Sequence, residues 1–320
     1  MINALRAETR RLLARRLTLV AVLGLLALIG LFQLQVNSVV QPPSAADQAF
    51  AQREFDEYQR DWEANHEQWE ADCQQSGGSA QECVQPPPDP TGWGLAATPY
   101  EQAVEPAVSF GAYLGGMVAF VVAASFIAAE VSTGSLANWL TFVPNRTRVY
   151  ASKLVVAAVF SLVLGLAVGA LTVGVSALLT TVHGQPVTGL GDVAAMAARG
   201  SVVTVVFGVL GYCLGLLTGS TGATIGVLLG GIFALYVRLI FTYTARWAQH
   251  LSPWSPDVNL QAVLNNGTTY VVSTGAAPTG ADYDVADKTL GLVHGIGYWA
   301  VLLAALVLVT SLVFRRRDVT

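Results

Sequence analysis

The chain has 320 residues, of which 53% are hydrophobic and 12% are charged, and its formal net charge is -4. Its mean hydropathy is +0.52. Ordinary soluble domains carry about twice this share of charged residues, so the composition excludes that class and favours a polytopic membrane protein.

The first 16 residues are predicted to form an amphipathic helix that lies in the cytoplasmic membrane interface. Five arginines occupy much of this stretch, and its apolar residues recur at helical spacing. These apolar residues are Ile2, Leu5, Leu12 and Leu13. The cations would lie near anionic headgroups, and the alternative is a plain positively charged anchor for the first span. The apolar run that follows is too long for a cleavable signal, so an uncleaved span is predicted.

An outer insert is predicted between the first two spans. Its region from Ala45 to Gln75 is rich in helix formers, and four aromatic residues fall on one helical face. They are Phe55, Tyr58, Trp62 and Trp69. This face either packs against the spans or a second copy of the chain, or lines a substrate exit.

Two of the three cysteines, Cys73 and Cys83, also lie in the outer insert. Thiols pair in oxidising compartments, so a disulfide between them is predicted. The neighbouring residues that a zinc site would need are missing. Cys213 falls within the fourth predicted span and is interpreted as an apolar packing residue.

Apolar blocks predict six membrane spans, since about 20 helical residues cross a hydrocarbon core of about 30 Å. The longest block is divided at the turn signal Gly219-Ser220-Thr221-Gly222. The predicted order is an interfacial helix at 1–16, spans at 17–40, 107–130, 151–182, 193–217, 222–247 and 290–314, an insert at 41–106, a cytoplasmic loop at 131–150, an outer loop at 248–289 and a tail at 315–320. The fold class is therefore an all-α polytopic membrane protein with a helical extracytoplasmic insert.

The distribution of charge predicts which side each loop faces. The predicted cytoplasmic segments hold eleven cations and only Glu8, Glu130 and Asp318 as acids. The other acids fall in outer segments, so the positive-inside rule puts both termini in the cytoplasm.

Two arginines, Arg199 and Arg238, fall within the fourth and fifth predicted spans. No acidic residue lies in the same spans, and an unpaired cation deep in hydrocarbon costs about 2.5 to 3.5 kcal/mol. Either they extend to the outer phosphates, or they face the bundle interior and contact an anionic lipid or substrate group.

The predicted cytoplasmic loop carries the most specific pattern in the chain. It contains an acid, three residues, glycine, serine, a leucine-rich stretch, proline and arginine. This pattern resembles the loop after the second span of type-2 ABC exporter permeases, in which a short coupling helix docks into the ATPase subunit. The resemblance assigns ATPase coupling to Glu130, Gly134, Leu136, Trp139, Leu140, Phe142 and Arg146.

The resemblance implies a permease subunit that forms the transmembrane pathway of an exporter for a drug, antibiotic, peptide or lipid. The sequence has no GxxxxGK[ST] loop, so ATP and Mg are expected on a separate ATPase, in two copies. It further implies a second permease, identical or homologous, in a bacterial-type cell membrane. No cofactor on this chain and no nucleic-acid partner are expected.

Two other functions compete with this interpretation. A membrane sensor or an assembly scaffold would also suit a large outer insert. An intramembrane enzyme is disfavoured, because the predicted spans lack a Ser/His pair, paired aspartates and an HExxH motif.

Overall fold

The computed structural model describes residues 2–78, 83–90, 93–135, 145–244, 246–273 and 285–316. Its helices are α1 Ile2–Leu13, α2 Arg16–Val40, α3 Ala45–Gln75, α4 Tyr100–Ser132, α5 Arg146–Val182, α6 Leu190–Thr218, α7 Thr221–Thr244, α8 Arg246–Gln249, α9 Pro256–Leu264 and α10 Leu292–Arg316. A 3₁₀ turn, Ser252–Trp254, precedes α9. Strand β1, Thr268–Ser273, pairs antiparallel with β2, Val285–Leu290.

Six helices are long and apolar enough to cross a membrane, namely α2, α4, α5, α6, α7 and α10. The predicted number of helices that are long and apolar enough to span a membrane is therefore confirmed. The chain therefore has the architecture of a multi-pass membrane protein.

Contacts between the long helices define two ends of the bundle. Arg15, just before α2, reaches Phe126 near the end of α4, whereas the Val39 carbonyl near the end of α2 accepts a hydrogen bond from Thr98, just before α4. Helices α2 and α4 are thus antiparallel. We call the end that holds α1 the basic end, because the predicted cytoplasmic cations lie there, and the opposite end, with α3 and α9, the acidic end.

Glycines allow α4, α5 and α6 to pack closely at the centre. A Cβ atom on Gly165 would lie 2.7 Å from the Ser201 Cα atom, and one on Gly215 would lie 2.8 Å from the Ala124 carbonyl oxygen. Either substitution would force backbones apart, as expected where small residues form helix interfaces. Two pairs of glycines spaced four residues apart, Gly165 with Gly169 and Gly211 with Gly215, thus serve packing within one chain.

The remaining apolar helices lie around this centre. Helix α7 exposes large side chains such as Phe233 and Tyr236, and α10 exposes Val293 and Val301. Surfaces of this kind suit a hydrocarbon solvent rather than water.

The predicted outer loop at 248–289 contains a buried helix and a β-hairpin. Helix α9 is largely buried, and the hairpin covers it through Leu290 and Tyr270, which pack with Val258 and Ala262. The strand residues carry no strong hydrophobic alternation, so their sequence pattern does not indicate a hairpin.

Helix α3 contains no buried residue. Its aromatic residues contact their own insert: Phe55 and Tyr58 pack against Trp93, and Trp62 stacks on His66. The predicted disulfide is confirmed, since Cys73 and Cys83 are bonded, while Cys213 is buried as a free thiol.

Candidate functional site

A buried ion-pair cluster joins three helices at the basic end. Lys153 of α5 is completely buried, and its Nζ atom lies 2.7 Å from Glu8 Oε2 of α1 and 2.7 Å from Glu130 Oε2 of α4. The contact with Glu8 is a hydrogen bond. The contact with Glu130 falls outside hydrogen-bond geometry and is ion pairing alone.

Arg15 completes this group, which we call the basic-end cluster: Glu8, Arg15, Glu130 and Lys153. Its guanidinium donates hydrogen bonds to the Ser125 and Phe126 carbonyls of α4, at 2.7 and 3.2 Å, and lies 3.9 Å from Glu130. Burial lowers the pKa of Arg15, while the neighbouring carboxylates act in the opposite direction. Arginine stays protonated in proteins, so two cations balance two carboxylates.

An aromatic ring and a helix break position the cluster. The Phe126 ring lies 4.9 Å from Lys153 Nζ and 5.4 Å from Arg15 Cζ, within reach of cation–π attraction. Arg15 has an extended backbone between α1 and α2. The break turns α1 against α4 and α5, where Leu12 packs with Phe126.

Part of the apolar face of α1 therefore packs against other helices of the protein. Leu12 and Glu8 are buried, and Leu13 is exposed. Sequence reasoning missed Glu8, Arg15 and Lys153 as site residues. One sequence feature could have identified them: the predicted cytoplasmic segments contain only three acids among many cations.

Three of the residues assigned to ATPase coupling lie in the part of the chain that the structure describes. Glu130 is only 6% exposed, in the basic-end cluster. Gly134 is exposed with a φ of +68°, just after α4 ends. Arg146 begins α5 and donates a hydrogen bond to the Arg315 carbonyl at 3.3 Å. The other four, Leu136, Trp139, Leu140 and Phe142, lie outside the described residues.

At the acidic end, the two membrane arginines hold opposite ends of α9. Arg238 of α7 forms an ion pair with Asp257, in the first turn of α9, at 2.7 Å. Arg199 of α6 donates a hydrogen bond from Nε to the Leu264 carbonyl, in the last turn of α9, at 2.8 Å. We call Arg199, Arg238, Asp257 and the Leu264 carbonyl the acidic-end clamp.

The clamp follows the electrostatics of a helix. A carboxylate is favourable at a helix N-terminus, and a cation is favourable at a C-terminus. Not all hydrogen-bond donors of the clamp have acceptors within the described part of the chain, however. Arg238 Nε and Nη1 are buried without a hydrogen-bond partner among the described residues. Sequence reasoning considered acids only within the spans of the two arginines. Asp257 lies beyond the end of α7 and was therefore not identified as a partner.

A polar cavity of about 660 Å³ opens beside the Arg199 side of the clamp. Helices α4 and α6 and the turn after α9 line it, with Gln102, Glu105, Asp192, Arg199, Asn265 and Asn266 among the lining residues. The cavity thus brings together both charge signs at the acidic end. No group of three or more metal-ligating side chains occurs within the described ranges.

Comparison with known families places this chain in a family. A family described as protein of unknown function (DUF2705) matches residues 103–320, more than half of the chain. The chain belongs to this family. The DUF2705 region begins in α4 and includes Glu130 and Lys153, whereas Glu8 and Arg15 precede it. Comparison with curated proteins finds no match.

Proposed function

We propose that this chain is the permease subunit of an ABC exporter, with ATP hydrolysis on a separate subunit. The observation that supports the proposal most is the basic-end cluster. It ties the end of α4 to the start of α5 on both sides of the segment that resembles a coupling helix. Glu130 lies four residues before Gly134, and Lys153 lies within two turns of the start of α5.

A coupling segment can move spans only if its ends are joined rigidly to them. Buried ion pairs in contact with one another satisfy that need, because separating them would leave uncompensated charges in a medium of low dielectric constant. Glu130 then acts as an anchor, and contact with the ATPase is left to the segment itself. Movement would pass into α4, which packs at the centre against α6.

The rest of the assembly follows from the resemblance. The basic end would face the cytoplasm of a bacterial-type cell, with α1 in the membrane interface. Two ATPase subunits carrying ATP and Mg would bind there, and a second permease would complete the pathway. The transported compound would be hydrophobic or amphipathic.

The test is co-purification of the ATPase with the full chain. A protein with a GxxxxGK[ST] motif should co-purify with the parental chain, and a variant carrying Leu136→Asp and Trp139→Asp should lose it. Loss of an interface anchor commonly costs about 2 kcal/mol or more, roughly a thirtyfold loss of affinity.

The control is Trp247→Asp, which makes one tryptophan-to-aspartate change on an exposed tryptophan at the acidic end. It should retain the ATPase. The proposal fails if no such protein co-purifies with the parental chain, or if the double variant retains the ATPase at the parental level.

A further inference from the structure

The cavity at the acidic end holds charges of both signs that are not neutralised by each other. Glu105 and Asp192 line it together with Arg199. Within the described residues, none of the three has an oppositely charged side chain within 4.0 Å. The Arg199 guanidinium is held in place through Nε by the Leu264 carbonyl, which leaves its Nη atoms for another partner.

The charges are ordered by depth along two parallel helices. Gly200 of α6 packs against Ala112 of α4, so Arg199 lies at about the level of Gly111. With a rise of about 1.5 Å per residue, the backbone of Glu105 lies roughly 9 Å, and that of Asp192 roughly 10.5 Å, closer to the acidic end than the backbone of Arg199. The two acidic residues thus lie nearer the acidic end than Arg199 does.

This arrangement disfavours a ligand with a single charge. A simple anion at Arg199 would lie near two carboxylates, and a simple cation at the carboxylates would lie near a guanidinium. A molecule with an ammonium group and an anionic group would pair with both through charge-assisted hydrogen bonds. The volume of about 660 Å³ falls within the range of small-molecule sites.

We propose that this cavity binds a compact zwitterion, with its anionic group at Arg199 and its ammonium group at Glu105 and Asp192. Asn265 and Asn266, which follow α9 directly, supply amide donors and acceptors to the same ligand. The shared chemistry fits the headgroup of an aminophospholipid or a soluble amino-phosphate. Binding of the zwitterion requires no ATPase. A failure of this inference can therefore be distinguished from a failure of the proposed function, on which it does not depend.

The test uses the full chain purified in detergent, with glycerophosphoethanolamine as a soluble zwitterionic probe and glycerophosphoglycerol as the anionic comparison. Binding is measured by titration calorimetry. In a second arm, nanodiscs contain equal amounts of phosphatidylethanolamine and phosphatidylglycerol, and native mass spectrometry identifies the lipid retained. If the soluble probe binds, the ligand is a free zwitterion. If the soluble probe does not bind but phosphatidylethanolamine is retained, the ligand is a lipid headgroup.

The decisive variant combines Glu105→Gln with Asp192→Asn, because neither side chain belongs to the acidic-end clamp. It should weaken binding of the zwitterion about tenfold or more, since charge-assisted hydrogen bonds are lost. The matched control combines Glu67→Gln with Asp287→Asn, which are exposed acids outside the cavity, and should leave binding within about twofold.

Three results would overturn the inference. They are absence of zwitterion binding in both arms, equal binding of the anionic compound, and unchanged binding by the cavity variant. Circular dichroism and gel filtration of each variant confirm that the fold is retained.

Discussion

The basic-end cluster and the acidic-end clamp use the same kinds of side chain but differ in burial and in charge balance. Lys153 is completely buried between two carboxylates. By contrast, the side chains of Arg238 and Asp257 are 19% and 32% exposed, and two guanidinium nitrogens lack partners among the described residues. The first arrangement joins α1, α4 and α5 through charges that are shielded from solvent. The second is partly exposed, so its ion pair is expected to contribute less to stability.

The largest expected effect is at Lys153. Lys153→Met would leave Glu8 and Glu130 without their shared cation, and breaking a buried pair in this way costs about 3–5 kcal/mol. We expect a marked fall in the melting temperature in detergent, measured by scanning fluorimetry.

Two comparisons make this prediction specific. Lys288→Met, at an exposed lysine in β2, should leave the melting temperature nearly unchanged. A triple variant with Lys153→Met, Glu8→Gln and Glu130→Gln should recover much of the loss, because the one charge left in the cluster, Arg15, is partly exposed and keeps its hydrogen bonds to the Ser125 and Phe126 carbonyls. A parental melting temperature for Lys153→Met would show that the ion pairs do not hold the basic end.

A smaller effect is expected at Arg199. Arg199→Met removes the charged donor from the Leu264 carbonyl, at a cost of about 1.5 kcal/mol. The loss should be local, with faster hydrogen exchange in α9 and unchanged exchange in α5. Arg53→Met on exposed α3 is the control. Unchanged protection of α9 would mean that Arg199 does not hold this helix.

The smallest effect is expected for the pair Arg238 and Asp257. Because both side chains are partly exposed, their coupling in a double-mutant cycle with Arg238→Met and Asp257→Asn should be at most about 1 kcal/mol. The cycle is measured by the free energy of unfolding. A coupling as large as the loss at Lys153 would remove the distinction between the two ends.

Placement of the two sides of the membrane is a separate prediction. Cysteines introduced at Glu67 on α3 and Thr147 on α5 should react with an impermeant maleimide from opposite sides of intact cells. Both positions are exposed. Labelling of both from the outside would contradict the orientation predicted from charge.

Local features of the sequence predicted the six apolar helices and the disulfide. Hydropathy over about 20 residues is enough to recognise a span, and two cysteines separated by ten residues can meet without information about the rest of the fold. The same reasoning identified Arg199 and Arg238 as unusual, because a cation within an apolar stretch is visible in the sequence alone.

Only the tertiary structure identified the partners of the charged residues. Glu8 and Lys153 are 145 residues apart, and Arg238 pairs with an aspartate that lies beyond its own span. Which side chains meet depends on how α1 and α9 dock against the central helices α4, α5 and α6. The sequence shows where each charged residue lies along its own helix, but it does not show which other helix the side chain contacts.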